Sequence, residues 1–154
     1  MGKEIERKFL VTGEAWKAYP GVTIRQGYLT TDPERTVRVR TKGEKGFLTV
    51  KGKTVGAVRA EYEYEIPVED ANQMLDTLCH RPLIEKTRYH APFGEHLWEV
   101  DLFFGENEGL VVAEVELSDE EEEPEMPIWV GEEVTHDPRY FNASLIANPY
   151  KNWK

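Results

Sequence analysis

Polar and apolar residues alternate along most of the chain with a period of two. That is the repeat of a half-buried β-strand and not the 3.6-residue repeat of an amphipathic helix. Eight segments carry the alternation: Glu4–Val11, Thr23–Thr30, Arg35–Lys42, Gly46–Lys53, Arg59–Ile66, Leu83–His90, Leu97–Phe104 and Leu110–Leu117. Turn residues separate several of them: Asp32-Pro33 after the second, Gly43 to Gly46 before the fourth, Pro92 with Gly94, and Gly105 with Gly109. Connections this short favour antiparallel neighbours.

Helical periodicity is confined to a few places. Asp70–Cys79 sets Ala71, Met74, Leu75 and Leu78 on one stripe, with acidic residues at its start, and stops before His80-Arg81-Pro82. Gly13–Tyr19 predicts a short helix stopped by Pro20. Ser118 with Glu121 fits a capping box opening an acidic turn, which Pro124 and Pro127 cut short. Pro138–Asn148 predicts a terminal helix with Tyr140, Phe141, Leu145 and Ile146 turned inward.

Sorting each strand by face shows where the charge lies, because residues i and i+2 share a side. Glu4, Glu6 and Lys8 line up against Ile5, Phe9 and Val11; Arg38 and Arg40 oppose Val37 and Val39; Lys51 and Lys53 oppose Leu48 and Val50. Glu61, Glu63 and Glu65 oppose Tyr62, Tyr64 and Ile66, and Lys86 shares a face with Arg88. Glu99 and Asp101 oppose Trp98, Val100 and Leu102, and Glu114 with Glu116 opposes Val111, Ala113, Val115 and Leu117. Strand by strand this is an ordinary antiparallel sheet with its charged face in water. Taken together, each strand is nearly pure in sign, and eight strands is a number at which a sheet closes into a barrel and removes its edges.

A barrel with these charges inside must hold water, ions or an anionic ligand, since an unpaired buried charge costs several kcal/mol. Lys and Arg converging from several strands match a ligand whose negative charges lie close together, with Arg as a bidentate fork and Lys as a point charge. The carboxylates cannot touch such a ligand without an intervening cation. Oxygen donors without Cys or clustered His point to a hard metal, Mg²⁺ or Mn²⁺.

Composition narrows the field. The 154 residues are 40% hydrophobic and 31% charged, so one folded domain over 1–154 is expected and disorder is not. A single cysteine, Cys79, excludes an internal disulfide framework and reads as a packed thiol. No apolar run is long enough to cross a membrane as a helix, and MGKEIERKFLV lacks a signal-peptide core, so a cytoplasmic protein without a membrane partner is expected. The net charge of −10 argues against nonspecific nucleic-acid binding. It is unevenly distributed: residues 1–60 hold 13 basic and 6 acidic side chains (+7), and residues 61–154 hold 6 and 23 (−17).

Competing motifs fail. Gly52-Lys53-Thr54 resembles the end of a P-loop, but Phe47 stands where that motif needs glycine. His80, His90, His96 and His136 have no zinc spacing and read as surface or loop residues. The carboxylate run Asp119–Glu123 reads as a solvated turn, and Trp98, Trp129 and Trp153 as packing residues.

EIERKFLV at the N-terminus resembles the ExExK signature of the CYTH superfamily, the triphosphate tunnel metalloenzymes. VRVR at 37–40, TVKGK at 49–53, RAEYEYEIP at 59–67, EKTRY at 85–89, WEVDLF at 98–103, VAEVEL at 112–117 and GEEVTHDPRYFNASL at 131–145 extend the likeness. The resemblance implies a mainly β, eight-stranded antiparallel barrel forming a charged tunnel with a few peripheral helices. It implies that Lys8, Arg38, Arg40, Lys51, Lys86 and Arg88, and less strongly Lys53, hold phosphates. Glu4, Glu6, Asp101, Glu114 and Glu116 would hold metal, and Glu61 or Glu63 would assist a second metal or the attacking water. Tyr28, in RQGYL, matches a tyrosine that similar triphosphatases carry near the signature lysine, so either its hydroxyl reaches an inward-pointing Lys8 or it is a packing aromatic of the barrel. The implied activity is metal-dependent hydrolysis of tripolyphosphate by a homodimer. Class IV adenylate cyclase, nucleoside or thiamine triphosphatase, and a noncatalytic polyphosphate-binding module remain alternatives.

Overall fold

The computed structural model describes residues 4–153. Strands β1 (Glu4–Val11), β2 (Gly21–Thr30), β3 (Arg35–Lys42), β4 (Lys45–Gly52), β5 (Val58–Arg59), β6 (Glu61–Ile66), β7 (Ile84–Phe93), β8 (His96–Phe103), β9 (Val111–Glu116) and β10 (Val130–Glu133) form one sheet, in the order β10-β1-β9-β8-β7-β2-β3-β4-β6. Every strand pairing is antiparallel. The helices are α1 (Val68–Thr77) and the single turn α2 (Ser144–Ala147). Among the described residues no helix is long and apolar enough to cross a membrane.

The sheet curls back on itself but is not strictly closed. The predicted strand Arg59–Ile66 breaks at Ala60: β6 pairs with β4, while β5 reaches across to β1 through only Glu4↔Arg59 and Ile5↔Val58. One further bond, Glu6 N–H to Ala57 C=O at 3.3 Å, extends this seam. The other half of that β1 edge is covered by β10, which the alternation did not predict because it spans only four residues. Between the two, the Thr135 hydroxyl accepts from the Lys8 backbone N–H at 2.9 Å. In this way a strand that would be an open edge has its backbone groups satisfied piecemeal.

The apolar core lies mostly outside the wall. Phe9, Trp98, Val100, Ala113 and Val115 project outward from β1, β8 and β9 and are covered by Trp16, Leu117 and Trp129. On the opposite flank α1 lays Ala71 and Leu75 over Val39, with Cys79 beside them. Gly46 permits that approach, since a Cβ there would lie 2.8 Å from the Ala71 Cβ. Arg25 ties the same helix to β2, donating to Asn72 and Asp76 at 3.1 Å each. The helix starts two residues before the predicted Asp70, directly after Pro67, and ends early enough to leave Leu78 64% exposed instead of on the buried stripe.

The remaining differences lie in irregular segments. Gly13–Tyr19 contains a 3₁₀ turn, Ala15–Ala18, that buries Trp16. Ser118 opens a turn and not a helix, and its N–H and hydroxyl both donate to Glu122 instead of Glu121. His90 and His96 sit within β7 and β8, the latter contacting Glu122 at 2.5 Å. The predicted terminal helix breaks into a 3₁₀ turn, Pro138–Tyr140, and α2, because Phe141 is extended. Leu145 and Ile146 then fill one end of the barrel against Tyr28, Ile84, Phe103, Leu110 and Val112.

Candidate active site

Period-two alternation turns the charged face of each strand inward, around a cavity of about 550 Å³. Glu4, Glu6, Lys8, Arg38, Arg40, Lys51, Glu61, Glu63, Lys86, Arg88, Glu114 and Glu116 all line it. Tyr28 and Lys53 also reach it, Lys53 from just beyond the end of β4.

On the β7–β8–β9 side the charges neutralise one another. Asp101 accepts from Lys86 Nζ at 2.7 Å and from both Nε and Nη2 of Arg88 at 2.8 and 2.9 Å. Glu114 accepts from Lys8 Nζ at 2.6 Å and from Arg88 Nη2 at 3.3 Å. Burial would raise both carboxyls, but these cations outweigh it and hold Asp101 below, and Glu114 well below, their ordinary ranges. Burial likewise opposes the charge on Lys8, yet Glu114 and Glu6 hold its ammonium well above the usual lysine value. Lys86, 1% exposed, is pushed down to about 8 by burial in spite of Asp101.

Two other parts of the wall are out of balance. Arg38 and Arg40 stand side by side on β3, both reaching Glu63, at 3.6 and 3.4 Å. Burial and the neighbouring charges of Arg38 and Arg88 push Arg40 down to about 10. The Nε of each arginine is buried with no partner among the described residues. This patch has one carboxylate for two arginines. On β1 and β9 the excess is of the other sign: burial, then Glu4, Glu61 and Glu6, push Glu116 up, while burial and Glu114 do the same to Glu6. This patch lacks a cation, which Lys8 and Lys51 supply only in part, at 2.9 Å from Glu6 and 3.1 Å from Glu4.

Comparison with known proteins agrees with this architecture. The CYTH domain family matches residues 2–150. The chain belongs to the CYTH family. It is 57% identical over 155 residues to an inorganic triphosphatase of Acetivibrio thermocellus, covering 100% of this chain and 99% of that protein. It is 41% identical over 150 residues to an inorganic triphosphatase of Nitrosomonas europaea, covering 94% and 97%. The crystal structure of the inorganic triphosphatase NE1496 superposes with a TM-score of 0.65 at 37% identity, covering 92% of this chain and 96% of that one.

Two residues of this CYTH protein stand differently from expectation. Asp101, predicted as a metal ligand, does not line the cavity: it is 1% exposed behind Lys86 and Arg88, with both oxygens engaged by them. Tyr28, one reading of which has it reach Lys8, packs in the cluster that closes one end of the barrel, and β2 is not adjacent to β1. The Lys8 ammonium is instead held by Glu6 and Glu114.

Of the three alternating glutamates on β6, Glu61 and Glu63 line the cavity and Glu65 does not. Glu63 accepts from the Thr49 hydroxyl at 2.7 Å, and that bond with the arginines outweighs burial and lowers its pKa, which makes it a weak base. Lining residues that the sequence reading did not name as site residues include Glu99, 3.2 Å from Arg88, together with Arg59, Thr135 and Asn142. Glu99 bore the signal, since it shares the charged face of its strand; the neutral Thr135 and Asn142 bore none.

Proposed function

We propose that this protein hydrolyses inorganic tripolyphosphate to pyrophosphate and phosphate within the charged cavity, and that residues 1–154 act as one unit. The observation that carries the reading is the pair of unbalanced patches facing one cavity: Arg38 and Arg40 share the single carboxylate of Glu63, and Glu4, Glu6 and Glu116 crowd together with only Lys8 and Lys51 to offset them. A polyphosphate complexed to a divalent metal supplies both missing charges. A polyphosphate-binding module would need only the first patch. The curated relatives, named inorganic triphosphatases along their whole length, support the same reading.

Arg38 and Arg40 offer forks to the phosphate oxygens, and Lys86 and Arg88 present their remaining N–H groups from the Asp101 platform. Phosphoryl transfer asks chiefly for positioning and charge neutralisation, so no protein nucleophile is required. Water attacks a terminal phosphorus, the P–O bond to pyrophosphate breaks, and Glu61 orients the water and accepts its proton.

CYTH triphosphatases are generally metal-dependent. All donors here are hard carboxylate oxygens, and the raised Glu6 and Glu116 mark where positive charge is missing, so the chemistry fits Mg²⁺ or Mn²⁺. Among the described residues no three such groups converge as they stand, because Lys8 and Lys51 lie between them. Glu4, Glu6 and Glu116 would hold the ion once Glu4 and Glu6 turn from those lysines. Bound there, it would neutralise phosphate oxygens and lower the charge the water must approach.

The test is phosphate release from tripolyphosphate, ATP and thiamine triphosphate, with cyclic AMP also scored. Tripolyphosphate should turn over fastest, and excess chelator should abolish the reaction. Undiminished turnover in chelator, or cyclic AMP as the main product, contradicts the reading.

A further inference from the structure

Lys86 is the most deeply buried cation of the cavity wall, and of its two hydrogen-bond partners among the described residues only one belongs to the barrel. Its ammonium has three N–H groups. One goes to Asp101 Oδ2 at 2.7 Å, and another to Asn142 Oδ1 at 3.2 Å, in the stretch between Pro138–Tyr140 and α2. Asn142 lines the cavity, at the polar edge of the segment whose Leu145 and Ile146 fill the barrel end.

The orientation of the Asn142 amide is fixed chemically. Lysine can only donate, so the atom facing it must be the carbonyl oxygen. The same oxygen accepts from Gln26 Nε2 at 3.0 Å. Gln26 is fully buried, and turning its nitrogen toward Asn142 leaves its own Oε1 buried with no partner among the described residues. An apolar residue at position 26 would pack there without an orphaned acceptor. A buried arrangement that leaves an acceptor unsatisfied and serves to aim one amide is expected at functional sites and not at packing sites.

We propose that Asn142 is a positioning residue. Its carbonyl, held by Gln26, draws the Lys86 ammonium off the Asp101 axis and turns the third N–H toward the cavity, where a phosphate oxygen takes it. The terminal segment is then part of the substrate site as well as an apolar filling. This rests on the proposed polyphosphate chemistry, and the two are separable by experiment.

Tripolyphosphate binding is measured by titration calorimetry on the full chain in excess chelator, where no turnover occurs. The set comprises wild type, N142A, K86M and the double variant, each with its thermal midpoint. N142A should weaken binding about tenfold, the scale of one hydrogen bond to a charged group, and should lower the midpoint in both backgrounds alike, because Gln26 Nε2 loses its acceptor. In the K86M background the same substitution should change affinity by less than about twofold, because coupled residues are non-additive. With metal added, the N142A loss should appear in KM, with kcat held within about twofold. An N142A affinity equal to wild type, or a full tenfold loss persisting in K86M, overturns the proposal. Should N142A not fold, Q26L carries the same cycle, with a smaller loss that must also vanish in K86M. Wild type that binds tripolyphosphate but does not hydrolyse it with metal defeats the proposed function alone; wild type that does not bind it defeats both.

Discussion

The cluster around Asp101 and Glu114, on β8 and β9, and the two patches around Arg40 on β3 and around Glu6 and Glu116 on β1 and β9 contain the same kinds of side chain in opposite states. In the first, Asp101 and Glu114 each meet two cations within 3.3 Å. In the second, Arg38 with Arg40, and Glu6 with Glu116, crowd charges of one sign. A paired buried cluster has little left to offer a ligand and much to lose if broken. A like-charged cluster is held together against repulsion, and a ligand of opposite charge relieves it. The paired wall is therefore read as a platform and the unpaired ones as the places where binding free energy is available.

The largest effect should come from breaking the platform. Asp101→Asn leaves Lys86 and Arg88 without their shared counterion, which costs about 3–5 kcal/mol for a broken buried pair. Chemical denaturation should show the loss, and it should shrink on acidification, because a carboxyl with a lowered folded pKa contributes stability that disappears as pH falls through that value. A variant as stable as wild type would make Asp101 dispensable and reopen its reading as a ligand.

Next is Arg40→Ala, which should weaken tripolyphosphate binding by about 1.5–3 kcal/mol, the range for a charge-assisted hydrogen bond. Folding stability should not fall in parallel, since Arg40 is already disfavoured by burial and by Arg38 and Arg88. Equal losses of affinity and stability would erase the difference between the two walls.

The smallest effect on stability is expected at Glu116→Gln. A carboxyl with a raised folded pKa contributes stability below its unfolded value and loses it as pH climbs through the folded one, so at neutral pH the charge is a burden. The group is partly solvent-screened, and the thermal midpoint should rise by only roughly 1–2 °C. Because Glu116 is among the residues that would hold the ion, the variant should also need more metal to reach the same turnover. A lower midpoint would show that Glu116 is not in a repelling cluster.

How much of this the sequence carried follows from how each feature is encoded. Lumen residues were legible because alternation assigns a face to Arg38, Lys51, Lys86 or Glu114 whatever the exact strand ends. A face does not reveal depth, and so Asp101 was grouped with the ligands although Lys86 and Arg88 stand between it and the cavity. The break at Ala60 is set by which edges must be satisfied around the barrel, and no residue near it announces a bend. Thr135 and Asn142 lie in irregular segments, where a neutral polar residue has no periodicity to mark it.

The two unbalanced patches are read here as halves of one site. That reading is tested most directly by the affinity for Mn²⁺, measured by calorimetry with and without a nonhydrolysable tripolyphosphate analogue. The account predicts that the analogue tightens metal binding at least about tenfold, with the metal tightening the analogue by the same factor, as linkage requires. Metal affinity that is indifferent to the analogue would contradict it.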